Sequence, residues 1–287
     1  MIKMKNTYLI VLFSLLFVAC EKIVDIEIPS DEPTLVVEGE ITDNLGPWSV
    51  RLTLSQPYLN QKQVDGITNA TIFITGTDGS NVQLLHTDTG MFVSATDQQC
   101  LVGETYTLTV DYDGKTFTAS EELVNGFPID TIASYFLPDN NGFIEAGYYV
   151  FIQGKENDYK GDSYLWKFYR NDTLQDDFGP IYENDDFGDI SFLNQSLDPN
   201  DPLAGLAQGI IPRPFPFTVE PGDSIRIEQY SLSKQHYKFI IDREAQLNRA
   251  GTPFDSPPAN PNYNISNGGL GYFSVAHLVK ESLVVKE

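Results

Sequence analysis

The chain has 287 residues, with 40 Asp and Glu against 18 Lys and Arg, a formal charge of −22, 12% aromatic residues and only two cysteines. So acidic a surface repels phosphate backbones and anionic headgroups, which argues against nucleic acid as a partner. Three scattered histidines with no His-x-x-x-His pair, and no pair of cysteines close in sequence, argue against a zinc site.

At the N-terminus, Lys3 and Lys5 precede an apolar run from Tyr8 to Val18 broken only by Ser14, and Ala19-Cys20 closes it. A permanent membrane helix needs about 20 apolar residues, so residues 1–19 read as a removable export signal. The sequence Phe17-Val18-Ala19-Cys20 resembles the lipobox of bacterial lipoproteins, with Phe17 where leucine is favoured. The resemblance implies a diacylglyceryl group on the Cys20 thiol, cleavage before it, and acylation of the freed amine. Each buried CH₂ contributes about 0.8 kcal/mol, so two or three acyl chains, palmitate among them, hold a protein at a membrane.

Loss of residues 1–19 leaves 268 residues and a formal charge of −24, because Lys3 and Lys5 go with the signal. That length suits one large β domain or two ordinary ones. With Cys20 acylated, Cys100 has no disulfide partner in the chain. It precedes Leu101-Val102 and reads as a small buried apolar residue. The core alone must hold the fold, and 18 Phe and 15 Tyr supply it well.

Residues 20–33 form an acidic tether carrying Asp25, Glu27, Asp31 and Glu32. Acidic residues just after the cysteine resemble signals that send lipoproteins to the outer face of the outer membrane. From Thr34 the period becomes two. Leu35, Val37 and Ile41, then Val50, Leu52 and Leu54, alternate with polar residues, which means one buried and one wet face. Thr71 to Thr75, Val82 to Leu85, Met91 to Val93, Thr105 to Tyr112 and Lys115 to Ala119 continue the pattern. Thr77-Asp78-Gly79-Ser80 and Asp113-Gly114 are its turns. Residues 34–125 are therefore expected to form an N-terminal antiparallel β-sandwich of the Ig-like kind. The order of strand and turn texts from Ala70 to Leu108 resembles prealbumin-like modules attached to peptidases and outer-membrane transporters.

Asn125-Gly126-Phe127-Pro128 reads as a hinge into a second antiparallel β domain over 126–287. Ile129 to Leu137, Gly147 to Gln153 and Ser163 to Tyr169 are aromatic-rich strands whose near-continuous apolar runs predict cover on both faces. Between Arg170 and Pro216 the pattern fails in favour of acids, Asp176, Asp177, Asp185 and Asp186 among them, with a short strand expected near Ile190 to Asn194. So long a loop is unusual in a compact domain and is often functional. Phe217 to Val219 and Ser224 to Tyr230 resume the sheet after the turn Pro221-Gly222-Asp223. Residues 231–249 are the one amphipathic helix, with Leu232, His236, Ile240 and Leu247 near one stripe and Phe239 beside it, capped by Ser231 or Ser233. Phe254 to Gly269 is a Pro/Asn loop, Leu270 to Val279 a strand, and Leu283-Val284-Val285 a tail.

Catalytic signatures are sparse. Gly161-Asp162-Ser163 and Gly222-Asp223-Ser224 match the Gly-Asp-Ser block of a serine esterase family, but no Asp stands three places before His86, His236 or His277, so both read as turns. No Gly-x-Ser-x-Gly elbow, phosphate loop or dinucleotide fingerprint occurs. Asp111-Tyr112-Asp113-Gly114 fails the calcium-loop pattern at Lys115 and reads as a hairpin. No cofactor and no resident metal are expected, although the carboxylates from Asp172 to Asp189 offer hard oxygen ligands. The candidate ligand or partner loops comprise Asp176, Asp177, Phe178, Tyr182, Asp185, Asp186, Phe187, Phe254 and Tyr263, whose aromatic rings suit stacking on a sugar or peptide.

The most distinctive text runs from Gly251-Thr252-Pro253-Phe254 through Pro257-Pro258 to Asn264-Ile265-Ser266-Asn267-Gly268-Gly269-Leu270-Gly271-Tyr272-Phe273. With the lipobox, the early β-module and the helix, it resembles a family of lipoproteins numbered 4249 among domains of unknown function. Members commonly accompany TonB-dependent outer-membrane transporters. The resemblance implies a non-enzymatic, surface-exposed accessory or ligand-binding role beside such a transporter, for a small nutrient, glycan or peptide. Alternatives are a glycan- or peptide-acting hydrolase using the acidic-loop carboxylates, and a structural or adhesive envelope module.

Overall fold

Alternating residues become strands whose inner sides meet. Leu35, Val37 and Ile41 of β1 (Leu35–Thr42) and Val50 and Leu52 of β2 (Ser49–Leu54) are buried, while Glu38, Glu40 and Arg51 stay outside. The computed structural model describes residues 32–56, 64, 66–126, 128–138, 145–153, 161–175, 181–184, 218–247, 249 and 259–287. Residues 1–19, expected to be a signal, and most of the 20–33 tether, with Cys20, lie outside the described residues, as does the strand expected near Ile190.

β3 (Thr71–Gly76), β4 (Asn81–Asp88), β5 (Met91–Ser94), β6 (Thr105–Tyr112) and β7 (Lys115–Glu122) complete the first half. They follow in the order β1-β2-β5-β4-β3-β6-β7, each pair antiparallel. Asp113 and Gly114, at φ 49° and 70°, make the two-residue turn that pairs Tyr112 with Lys115. Between the layers lies a core that includes Trp48, Ile72, Phe92, Leu108 and Cys100, the last 1% exposed. Tyr106 crosses it, its ring 5.5 Å edge-on to Trp48. Its hydroxyl donates to Asp78 at 2.8 Å and accepts from the Leu101 amide. Burial would raise the Asp78 carboxyl, but hydrogen bonds from Ser80 and Tyr106 hold it below its usual range.

The second half contains β8 (Thr131–Leu137) paired with β9 (Gly147–Gln153), and a sheet built on β10 (Ser163–Arg170). Around β10 lie the short β11 (Thr173–Leu174), β12 (Ile181–Asn184) and β13 (Ser224–Leu232). A second core gathers Val150, Ile152, Trp166, Phe168, Ile225 and Ile227. The two Gly-Asp-Ser triplets sit just before β10 and β13. Asp223 ties the β13 turn together through the Glu220 amide, the Asn171 side chain and Arg170, and these outweigh its burial and lower its pKa.

The last strand joins the halves. β14 runs without interruption over Leu270–Val284, merging what the sequence divides into a strand and a tail. From Val36↔Leu270 to Thr42↔Ala276 it is parallel to β1, the one parallel pair among the described residues. From Ser231↔His277 to Ser224↔Val284 it is antiparallel to β13. Its odd-numbered side therefore places Phe273 and Val275 in the first core and Val279 and Leu283 against the second. Asp43 marks the crossover, pairing with His277 and accepting the Leu278 amide at 2.9 Å. Residues from Pro33 onward consequently cohere as one unit. The change from the first core to the second falls between Leu123 and Ile129. Gly126, read as a hinge, is buried, and a side chain there would strike Ser231 and His277.

The helix α1 (Lys234–Leu247) lies on the even-numbered side of β14, against Tyr272, Ala276 and Leu278. It starts three residues later than the expected 231–249, because Ser231 and Leu232 are taken by β13, whose ladder to β10 and β14 outweighs local helical preference. Ser233 is the cap, its hydroxyl accepting the His236 amide at 3.0 Å. His236, Phe239 and Ile240 are buried, whereas Leu247, expected on the same stripe, is exposed.

Candidate functional site

Chemistry-bearing side chains from three elements far apart in sequence come together where β7, α1 and β14 meet. β7 directs Phe117, Ala119 and Glu121 to its buried side. Phe117 and Ala119 fill the first core, and Glu121, next in that series, is 5% exposed. Its carboxylate accepts the Tyr272 hydroxyl at 2.7 Å and the Asn264 amide at 3.3 Å. Burial raises the Glu121 pKa, opposed by hydrogen bonds from Ser233, Tyr272 and Asn264. The same burial, with Glu121 beside it, raises the Tyr272 phenol.

The Tyr272 ring lies almost flat on His236, centroids 4.6 Å apart at 13°, and stacks on Phe239 at 4.8 Å. Phe239 in turn lies 6.1 Å from the tilted Tyr263 ring. His236 Nδ1 lies 3.0 Å from the Ser274 hydroxyl. Burial, with Arg243 and Lys167 adding positive field, pushes His236 down to about 3, so the ring is neutral at physiological pH. Neutral imidazole beside a hydroxyl is the first contact of a serine nucleophile. Here, however, Ser274 is 4% and His236 8% exposed, and the charges acting on the ring are cationic rather than an orienting carboxylate. The arrangement suits cohesion of three elements better than catalysis.

The distinctive C-terminal text explains how β14 enters this junction. Asn264 clamps the Phe273 backbone from both sides, its amide donating to the carbonyl at 2.8 Å and its oxygen accepting the amide at 3.0 Å. Ser266 bonds Thr118 on β7 through its backbone N–H and its hydroxyl. Asn267 and Gly268 turn the chain at φ 55° and 76°. Gly271, at φ 91°, lets β14 pass the Val37 carbonyl, where a Cβ would collide.

Of the residues singled out from sequence, Tyr263 stands at this junction, half-buried, and Tyr182 lies in β12 opposite Leu165. Asp176, Asp177, Phe178, Asp185, Asp186, Phe187 and Phe254 lie outside the described residues. Glu121, His236 and Ser274 carry chemistry that sequence reasoning did not assemble. A carboxylate on the apolar side of an alternating strand was the available signal for Glu121. Among the described residues, no group of three or more His, Cys, Asp or Glu is placed to hold a metal, and no helix is long and apolar enough to cross a membrane.

Comparison with known proteins adds three findings. No curated protein matches the chain. Among solved structures, a two-domain fibronectin type III segment of chicken tenascin matches at 10% identity and a TM-score of 0.22, over 88% of this chain and 99% of that one. The model of a domain of unknown function, DUF4249, matches residues 21–282.

Proposed function

Since the chain belongs to the DUF4249 family, whose match starts one residue after Cys20, we propose that it is a lipid-anchored lipoprotein of the outer membrane, facing the cell surface. It acts there as a non-enzymatic accessory or ligand-capturing partner of a TonB-dependent transporter. The observation that carries this reading is the junction of signal and domain. Lys3, Lys5, the apolar run and Ala19-Cys20 end where the family's domain begins. From Cys20 to the start of β1 is 15 residues, which extended reach at most about 50 Å, so acylation at Cys20 keeps the body near the bilayer. The closed state of the Ser274–His236 contact supports a binding role over an enzymatic one.

The test has two parts. Metabolic labelling with palmitate marks the wild-type chain, and Cys20→Ser abolishes both the label and membrane retention. An unlabelled wild type, or a Cys20→Ser protein equally membrane-bound, refutes the anchor. Affinity capture from detergent extract then recovers a TonB-dependent transporter, and its absence from the captured fraction refutes the partnership.

A further inference from the structure

Beside the rung that α1 covers, the same face of the second sheet carries charged side chains, with Lys280 nearly half exposed and Arg226 and Lys167 about a third. Its cross-strand rungs are set by register. Leu278, Tyr230 and Leu165 lie under the helix; the next rung is Lys280, Glu228 and Lys167; the one after is Ser282, Arg226 and Tyr169. Glu228, 5% exposed, anchors the centre. It pairs with Arg226, accepts the Tyr230 hydroxyl at 3.0 Å and the Tyr169 hydroxyl at 3.3 Å, and has Lys280 Nζ at 3.6 Å.

This carboxylate holds the cations in place. The Arg226 guanidinium lies 3.7 Å over the Tyr169 ring with one edge turned to Glu228, so it is fixed flat before any ligand arrives. Lys167 sits 4.1 Å over the Tyr230 ring and 3.6 Å from Glu40. Three cations thus face Glu228 and Glu40, leaving surplus positive charge on a chain whose total is −22. Lys280, nearly half exposed, and Lys167 stand on strands two apart, a spacing of about 10 Å across the sheet.

We propose that this face binds a carboxylated polysaccharide, with Arg226 gripping a carboxylate and Lys280 and Lys167 neutralising the acidic groups of neighbouring sugars. A planar carboxylate matches the guanidinium fork, and cations one disaccharide apart match a repeating uronic acid better than a single small anion. A protein partner is disfavoured because the central ring, Tyr169, is already capped by Arg226, which leaves no aromatic anchor to fill a pocket. The inference names a ligand class for the capturing role proposed above and rests on that reading. It is measured without transporter or membrane, so the two fail separately.

The experiment is fluorescence anisotropy of a labelled oligogalacturonate titrated with the detergent-solubilised full chain. Wild type binds, and binding weakens with added salt. Lys280→Gln, at an exposed position, and Arg226→Lys, which keeps the charge but loses the fork, each weaken it about tenfold, in line with loss of a charge-assisted hydrogen bond. Thermal melting of both variants checks that the fold is kept. Absence of binding by wild type overturns the proposal. So does wild-type affinity in a folded Lys280→Gln variant, or equal affinity for a neutral glucan or a single-stranded oligonucleotide.

Discussion

The contact between Glu121 and Tyr272 joins residues 151 apart in sequence and offers the sharpest test of how β14 is seated. Both are about 5% exposed and the hydroxyl lies 2.7 Å from the carboxylate. A hydrogen bond to a charged group contributes about 1.5–3 kcal/mol. Tyr272→Phe, which keeps the stacked ring, should therefore lower unfolding free energy by about 2 kcal/mol in urea melts at pH 7. Glu121→Gln keeps an acceptor and removes a buried charge, so it should be neutral or stabilising at that pH. Glu121 has a raised folded pKa, so the native state holds its proton more tightly than the unfolded chain does. Wild-type stability from this group is therefore greatest below the unfolded carboxyl value and falls as pH rises to the folded one. The gain from Glu121→Gln should vanish in acid. In the double-mutant cycle a coupling of about 1 kcal/mol or more is expected. A coupling under about 0.5 kcal/mol, the usual scatter between independent sites, would refute the reasoning.

Three further outcomes are expected. Gly271→Ala combines a positive φ with collision against the Val37 carbonyl and should destabilise by about 2 kcal/mol or more, read as a lowered melting temperature. His236 is held neutral with its pKa near 3, so its contribution is present above the unfolded value near 6.5 and is lost as pH falls toward 3. His236→Phe should flatten the stability profile across that interval. Cys100 is buried and its thiol pKa is pushed up by desolvation, with Asp43 and Asp78 adding to it. It should resist a thiol reagent in the folded protein and react at once in denaturant.

What could be read from the sequence was local. Alternation found the strands of the first sandwich, and Asp113-Gly114 found its hairpin, because both signals act within a few residues. The helix was found too, but its start was misplaced, since Ser231 and Leu232 answer to strand partners at His277, Ser163 and Tyr164 that no local window contains. The parallel ladder of Val36 to Thr42 on Leu270 to Ala276 joins residues more than two hundred apart and leaves no periodic trace. The Asn264-to-Phe273 text was recognisable as distinctive. The Asn264 clamp was not, because its partner is a backbone. Glu121 was hidden for the opposite reason: among 40 acidic residues, one more carboxylate draws no notice until its neighbours in β7 prove buried.

Among the described residues the strand shared by both cores follows every other strand in sequence, so its 15 residues, about 50 Å end to end, are made after the strands they pair with. Until then β1 has an unpaired edge, and Phe273 and Val275 are missing from the interior they complete. Neither core is complete until β14 is in place, so the closing of one is coupled to the closing of the other. A chain cut before Leu270 would leave both cores unfinished at once.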